Sequence, residues 1–296
     1  MKKGIKKIVV LGLLAVFAAG CSLPSIAAAE IRFGILPRLS TMEMTSMFTP
    51  LADYLTKETG EKVSLVIPND FDTFKSMAKA GQMDLLFANS IVYIQLKRDM
   101  PVIAPLALAA EAKAGTRFRG IIITRKDSGI EKLQDLKGKK LIFVDKDSAA
   151  GYIFQMLLLS KAGLVVQKDF ITLPFAKKHD SVTLAVFNKA ADAGGIREDD
   201  LDKMKERVDI SQLRIVGYSD FFPNWPMFAA SGLGREAAEK IKNALLRLKP
   251  NDPRAEQILG SAKLAGFTTI ADSDYDQLRK AAKLAGAYPI VSVDIH

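Results

Sequence analysis

The stretch Asp135 to Gly163, DLKGKKLIFVDKDSAAGYIFQMLLLSKAG, carries the residues best suited to hold a ligand. An apolar strand, Lys140 to Val144, runs into the small-residue corner Ser148-Ala149-Ala150-Gly151, and the pattern predicts a helix from about Ala149. The first amides of a helix have no intrahelical acceptor and lie at the positive end of its dipole, so such a corner can seat an anion. Tyr152 follows directly, with a phenolic O–H that can donate to a ligand oxygen. The same residues also suit an ordinary α/β unit in which Ser148 caps the helix. A second group, His179-Asp180-Ser181, opens another helix with an apolar stripe. There His179 can donate a ring N–H, while Asp180 caps the helix or fixes the ring tautomer. A third, Asn89-Ser90, ends a short buried strand and starts a helix bearing Tyr93.

Catalytic chemistry has little support. The two histidines are His179 and His296, and the metal, nucleophile and nucleotide motifs HExxH, GxSxG, GxGxxG and GxxxxGK[ST] are absent from the sequence. No pair of carboxylates is singled out by context. The expectation is a binding protein with no catalytic residues, no metal and no cofactor.

The elements that must position these groups follow an α/β rhythm. Strands are expected at Glu30–Leu36, Lys62–Ile67 and Asp84–Phe87, with helices at Thr41–Glu58 and Asp70–Ala80 between them. This order argues a mostly parallel sheet covered by helices, whose pocket lies beyond the carboxyl ends of the strands. Leu36-Pro37-Arg38, Pro68-Asn69-Asp70 and Ala88-Asn89-Ser90 would then face the site. Arg117–Thr124 is a strand whose composition changes at Gly120, which marks a domain crossing. The aromatic and proline-rich run Phe221 to Pro226 marks the return. Arg197–Arg207 reads as a polar helix, and Met227–Ala230 as the final short strand. Two α/β units would enclose a cleft: residues 30–118 with 226–296, and residues 119–225.

The 296 residues are 49% hydrophobic and 25% charged, enough to bury a large core. The opening MKKGIKKIVVLGLLAVFAAGC has the three-part form of an export signal, and its apolar run is too short for a confident membrane span. Cys21, the one cysteine, directly follows that run and suits lipidation; cleavage after Ala29 is the alternative. Net charge is +9, of which Lys2, Lys3, Lys6 and Lys7 supply four. The remaining excess steers anionic small molecules. It does not point to nucleic acid, because no basic block interleaved with aromatics occurs.

The blocks DSGIEKLQDLKGKKLIFVDKDSAAGYIF (Asp127 to Phe154) and HDSVTLAVFNKAADAGGI (His179 to Ile196) resemble the PhnD-like, phosphonate-binding family of periplasmic substrate-binding proteins of ABC importers. The resemblance spans nearly all of Ile31 to Ile290. It implies the type 2 periplasmic-binding fold, with two α/β lobes joined by two crossings around a ligand cleft. It further implies uptake of a phosphonate, phosphate or phosphite-like oxyanion through a permease and an ATPase. The ligand contacts it implies are Ser148, Ala149, Ala150, Gly151 and Tyr152, then His179, Asp180 and Ser181, then Asn89, Ser90 and Tyr93. Three places depart from the family pattern: Ala150 stands where a serine or threonine is common, Gln155 where proline is usual, and Asn89 and Ser90 where the first-lobe loop often has glycine and proline. The three helix starts, with Ser148, Ser181, Tyr93 and Tyr152, would form a donor-rich, nearly cation-free cage. Two other readings stay open: a sensory domain serving a membrane partner, and a binder of a neutral or zwitterionic solute.

Overall fold

The computed structural model describes residues 30–100, 103–112 and 115–284, so the export signal and Cys21 lie outside the described residues. Strands are numbered in chain order. One sheet holds Ile31–Ile35 (β1), Val63–Val66 (β2), Leu85–Phe87 (β3), Ala104–Glu111 (β4), Pro226–Ala229 (β12) and Leu264–Thr268 (β13), in the order β13-β4-β12-β3-β1-β2. A second holds Gly120–Arg125 (β6), Lys140–Ile142 (β7), Ile171–Thr172 (β8), Ala193–Arg197 (β9) and Leu213–Tyr218 (β10), in the order β10-β6-β9-β7-β8. Arg117–Phe118 (β5) and Phe222–Pro223 (β11) form a two-stranded ribbon where the chain passes from one sheet to the other and back.

Both sheets are mixed. β1 pairs in parallel with β2 and β3, and β7 with β8 and β9. β12 joins β3 and β4 antiparallel, β13 joins β4, and β6 joins β9 and β10. The mostly parallel sheet expected from the sequence is therefore half the truth for the first sheet. Its reversed strands, β12 and β13, are contributed after the return crossing and lie on either side of β4. Among the described residues the last strand is β13, not Met227–Ala230 as the sequence suggested. Gly266 interrupts its β pattern because a Cβ there would meet the Leu248 carbonyl at 2.6 Å.

Helices cover the sheets by burying one face. Thr41–Thr59 (α1) starts with a capping box, in which Ser40 Oγ accepts from the Glu43 amide and Glu43 Oε2 accepts from the Ser40 amide. Met44, Phe48, Leu51 and Leu55 on its inner side are fully buried. Phe71–Lys79 (α2) is capped by Asp70 and Ser90–Asp99 (α3) by Asn89. The largest apolar core lies around the six-stranded sheet, and two smaller clusters involve residues of the five-stranded one.

Candidate functional site

A cleft of about 740 Å³ lies between the two sheet-containing lobes. Its walls come from the ends of strands and the helix starts that follow them. From the six-stranded lobe come Pro37, Arg38 and Leu39 after β1, Met42, Glu43, Ser46 and Met47 on α1, Phe71, Asn89, Trp225, Ser261 and Lys263. From the other lobe come Val144, Ser148, Ala149, Ala150, Lys177 to Asp180, Arg197, Asp200, Lys203, Met204 and Arg207, and Phe118 enters from the ribbon.

The small-residue corner differs from the expected α-helix start. Residues Ala149–Ile153 form one π-turn before the α-helix Phe154–Lys161 (α4). Its bonds skip five residues: the Ile153 amide donates to the Ser148 carbonyl at 3.0 Å, and the Phe154 amide to that of Ala149. Ser148 makes no side-chain cap, so its hydroxyl is not spent on the helix. The buried Gln155 side chain ties the turn to the sheet. Its Nε2 lies 2.6 Å from Ala150 O and 3.0 Å from both Ile121 O on β6 and Ile196 O on β9. Gly151 allows the close approach, because a Cβ there would lie 2.4 Å from Val144 Cγ2 and 2.6 Å from Ser148 Oγ.

His179 opens the helix His179–Phe187. The chain reaches it through Lys177, whose φ of 68° is left-handed and whose amide donates to the Val144 carbonyl two residues past β7. The backbone amide of Arg197 donates to His179 Nδ1 at 3.1 Å, which leaves the proton of the neutral ring on Nε2. Burial holds the imidazole pKa below its ordinary value, with nearby Asp200 opposing, so the neutral donor form is favoured. The tautomer is thus set by Arg197, not by Asp180 as expected. Nor does Asp180 cap the helix: its Oδ2 accepts from Arg207 Nη1 at 2.6 Å and its Oδ1 from the next amide, Ser181, at 2.8 Å.

Of the residues singled out in the sequence, Asn89, Ser148, Ala149, Ala150, His179 and Asp180 line the cleft. Gly151 supports the turn from behind. Ser90, Tyr93, Tyr152 and Ser181 do not line it. Tyr93 is fully buried, packed against Phe228 and Tyr275, and its hydroxyl donates to Asp272 Oδ1 at 2.6 Å. Tyr152 lies edge-on between Phe143 and Phe175, and burial raises its phenol pKa. Ser90 is buried, and its hydroxyl has no hydrogen-bond partner among the described residues.

The expected near-absence of cations is corrected. Seven cationic side chains line the cleft against three carboxylates. Arg38, following the carboxyl end of β1, is the most telling. It lies over the Trp225 ring with Cζ 5.6 Å from the centroid and donates to the Ala262 carbonyl at 3.3 Å. No carboxylate among the described residues pairs with it. Burial lowers its pKa, Glu111 and Asp200 only partly countering, and a guanidinium stays charged regardless. Arg197, in contrast, is neutralised by Glu111 at 2.5 Å and Asp199 at 3.2 Å. The sequence hid Arg197 because Arg197–Arg207 reads as helix, whereas it is the last residue of β9.

The lobes touch beside the cleft. Asp147, just before the π-turn, accepts from Lys75 on α2 and from Gln95 Nε2 on α3 at 2.8 Å, while Asn89 Nδ2 donates to its carbonyl at 3.2 Å. The Arg197–Glu111 pair joins β9 to β4 in the same way.

Comparison with known proteins agrees with this architecture. The phosphate-import protein PhnD of Mycolicibacterium smegmatis is 26% identical to the chain, with 93% of each covered. The phosphonates-binding periplasmic protein of Escherichia coli is 23% identical over 85% of this chain and 75% of its own length. The structure of PhnD1 from Prochlorococcus marinus in complex with methylphosphonate has a TM-score of 0.77 at 16% identity, covering 87% of this chain and 98% of that one. It shares the type 2 periplasmic-binding fold. Residues 33–275 match the family described as ABC transporter, phosphonate, periplasmic substrate-binding protein, and with two lobes around a cleft the chain belongs to that family.

Proposed function

We propose that the protein captures a phosphonate- or phosphate-like oxyanion in the cleft between its lobes and delivers it to an ABC permease and its ATPase. Proteins of this family bind and hand over a solute for transport; it is not a family of enzymes. Residues 30–118 with 226–296 act as one moving unit and residues 119–225 as the other. The observation that carries the reading is Arg38, a guanidinium in the cleft whose charge no carboxylate among the described residues answers. An anion supplies the missing partner with charge-assisted hydrogen bonds. The amides of the π-turn, the Ser148 hydroxyl and the Nε2–H of His179 add neutral donors on the opposite wall.

Calorimetric titration of Arg38→Met against phosphate and methylphosphonate tests this. Loss of about 10- to 100-fold in affinity is expected, corresponding to the ~1.5–3 kcal/mol of a hydrogen bond to a charged group. Unchanged affinity would remove Arg38 from the site. We further propose that Cys21, directly after the apolar run, carries lipid and holds the protein at a membrane outside the cytoplasm. Mass spectrometry of the mature N-terminus is expected to find acylated Cys21, and an unmodified chain beginning at Glu30 is the opposing outcome.

A further inference from the structure

The cleft is much larger than an inorganic oxyanion needs. A tetrahedral ion of five heavy atoms takes roughly the room of two or three waters at ~30 Å³ each. The cleft offers about 740 Å³, within the roughly 300–1,000 Å³ range of sites for drug-sized molecules. That space remains although the lobes already meet through Lys75–Asp147 and Arg197–Glu111.

Its lining says what fills the remainder. Met47, Met204, Phe118 and Trp225 contribute apolar surface inside the cleft. Leu39 and Met42 lie on the same wall, and both are among the exposed large hydrophobic residues, Met42 at 80%. Methionines are soft and unbranched and make favourable contacts with aromatic rings.

The carboxylates of the lining, meanwhile, are all engaged. Glu43 closes the α1 capping box, Asp180 pairs with Arg207 at 2.6 Å, and Asp200 with Lys203 at 2.5 Å. Seven cationic side chains against three carboxylates leave the lining with a positive excess, which disfavours the ammonium of an aminoalkyl ligand.

We infer that the ligand is an organic oxyanion with a bulky apolar body of about aryl size and no ammonium group, its head at Arg38 and its body against Met42, Met47 and Trp225. This rests on the oxyanion reading above and narrows it. An inorganic ion or a methyl-substituted one would satisfy the head alone and leave the apolar wall in water.

The test is calorimetric titration of the purified full-length protein with phosphate, methylphosphonate, 2-aminoethylphosphonate and phenylphosphonate. Phenylphosphonate is expected to bind at least ten-fold more tightly than the other three. Met42→Ser, a neutral change at an exposed position, is expected to cost phenylphosphonate about ten-fold and methylphosphonate less than two-fold. Equal or tighter binding of phosphate, methylphosphonate or 2-aminoethylphosphonate would overturn the apolar-body inference and leave the oxyanion reading standing. Binding of none of the four would overturn both.

Discussion

Tyr93 and Arg38 exchange the roles that their types suggest. A tyrosine three residues into a helix whose start faces a cleft is a natural ligand donor, yet Tyr93 is a core residue. Its hydroxyl is committed to Asp272, which also receives the guanidinium of Arg279 at 2.5 Å. Tyr93→Phe is expected to lower stability by about 1.5–3 kcal/mol, the worth of a hydrogen bond to a charged acceptor, while ligand affinity stays within two-fold. Chemical denaturation beside a titration separates the two effects. The sequence could not make this distinction, because residues Ser90 to Ile94 are buried all round and a helix without a polar face gives no sign of which side meets the ligand. Arg38 was legible only by position. Pro37 ends the strand, and residues just beyond a strand's carboxyl end lie at the pocket of an α/β sheet. That its charge would go unanswered depends on where every carboxylate folds, which no local pattern contains.

At the level of elements, the corner after β7 was visible as a run of small residues, but its geometry was not. Glycine and alanine suit a helix start, a loop or a π-turn alike. The π-turn goes with Gln155, whose amide meets the Ala150 carbonyl together with two carbonyls from strands distant in sequence. Gly151→Ala is expected to push against Val144 and Ser148, at the ~1–3 kcal/mol typical of overpacking, and to weaken oxyanion binding about ten-fold by shifting the turn. Thermal unfolding and titration of the same variant check both effects, and full affinity would detach the turn from the site. The strand and helix framework from Ile31 to Phe87 was readable because its β and α periods agree with one another, and the Ser40 and Asp70 caps seen in the structure add to that consistency. β13 was not, because Gly266 serves a backbone contact instead of the β pattern.

For the whole molecule, the ties between lobes matter more than either lobe alone. Asp147 is buried and reaches both α2 and α3 across the cleft, so it stabilises the arrangement in which both walls surround the ligand. Asp147→Asn is expected to weaken every ligand by one common factor, about 5- to 10-fold or ~1–1.4 kcal/mol, since it changes closure and not recognition. A titration series in which the factor differs between ligands would place Asp147 in the binding surface instead. The ribbon of β5 and β11 bears on the same motion. Its strands are bonded to each other, Phe222 opposite Phe118 and Pro223 opposite Arg117, so the two crossings are tied into a single axle. Phe118 belongs to that axle and also lines the cleft, with Phe154 packed against it and the Arg197 guanidinium 4.5 Å from its ring centre. The cleft and its pivot therefore share a side chain. In the proposed function the thickness of a guest would be read as an angle, like a coin between the jaws of a caliper, and the face offered to a permease would differ for guests that are equally charged but unequally thick.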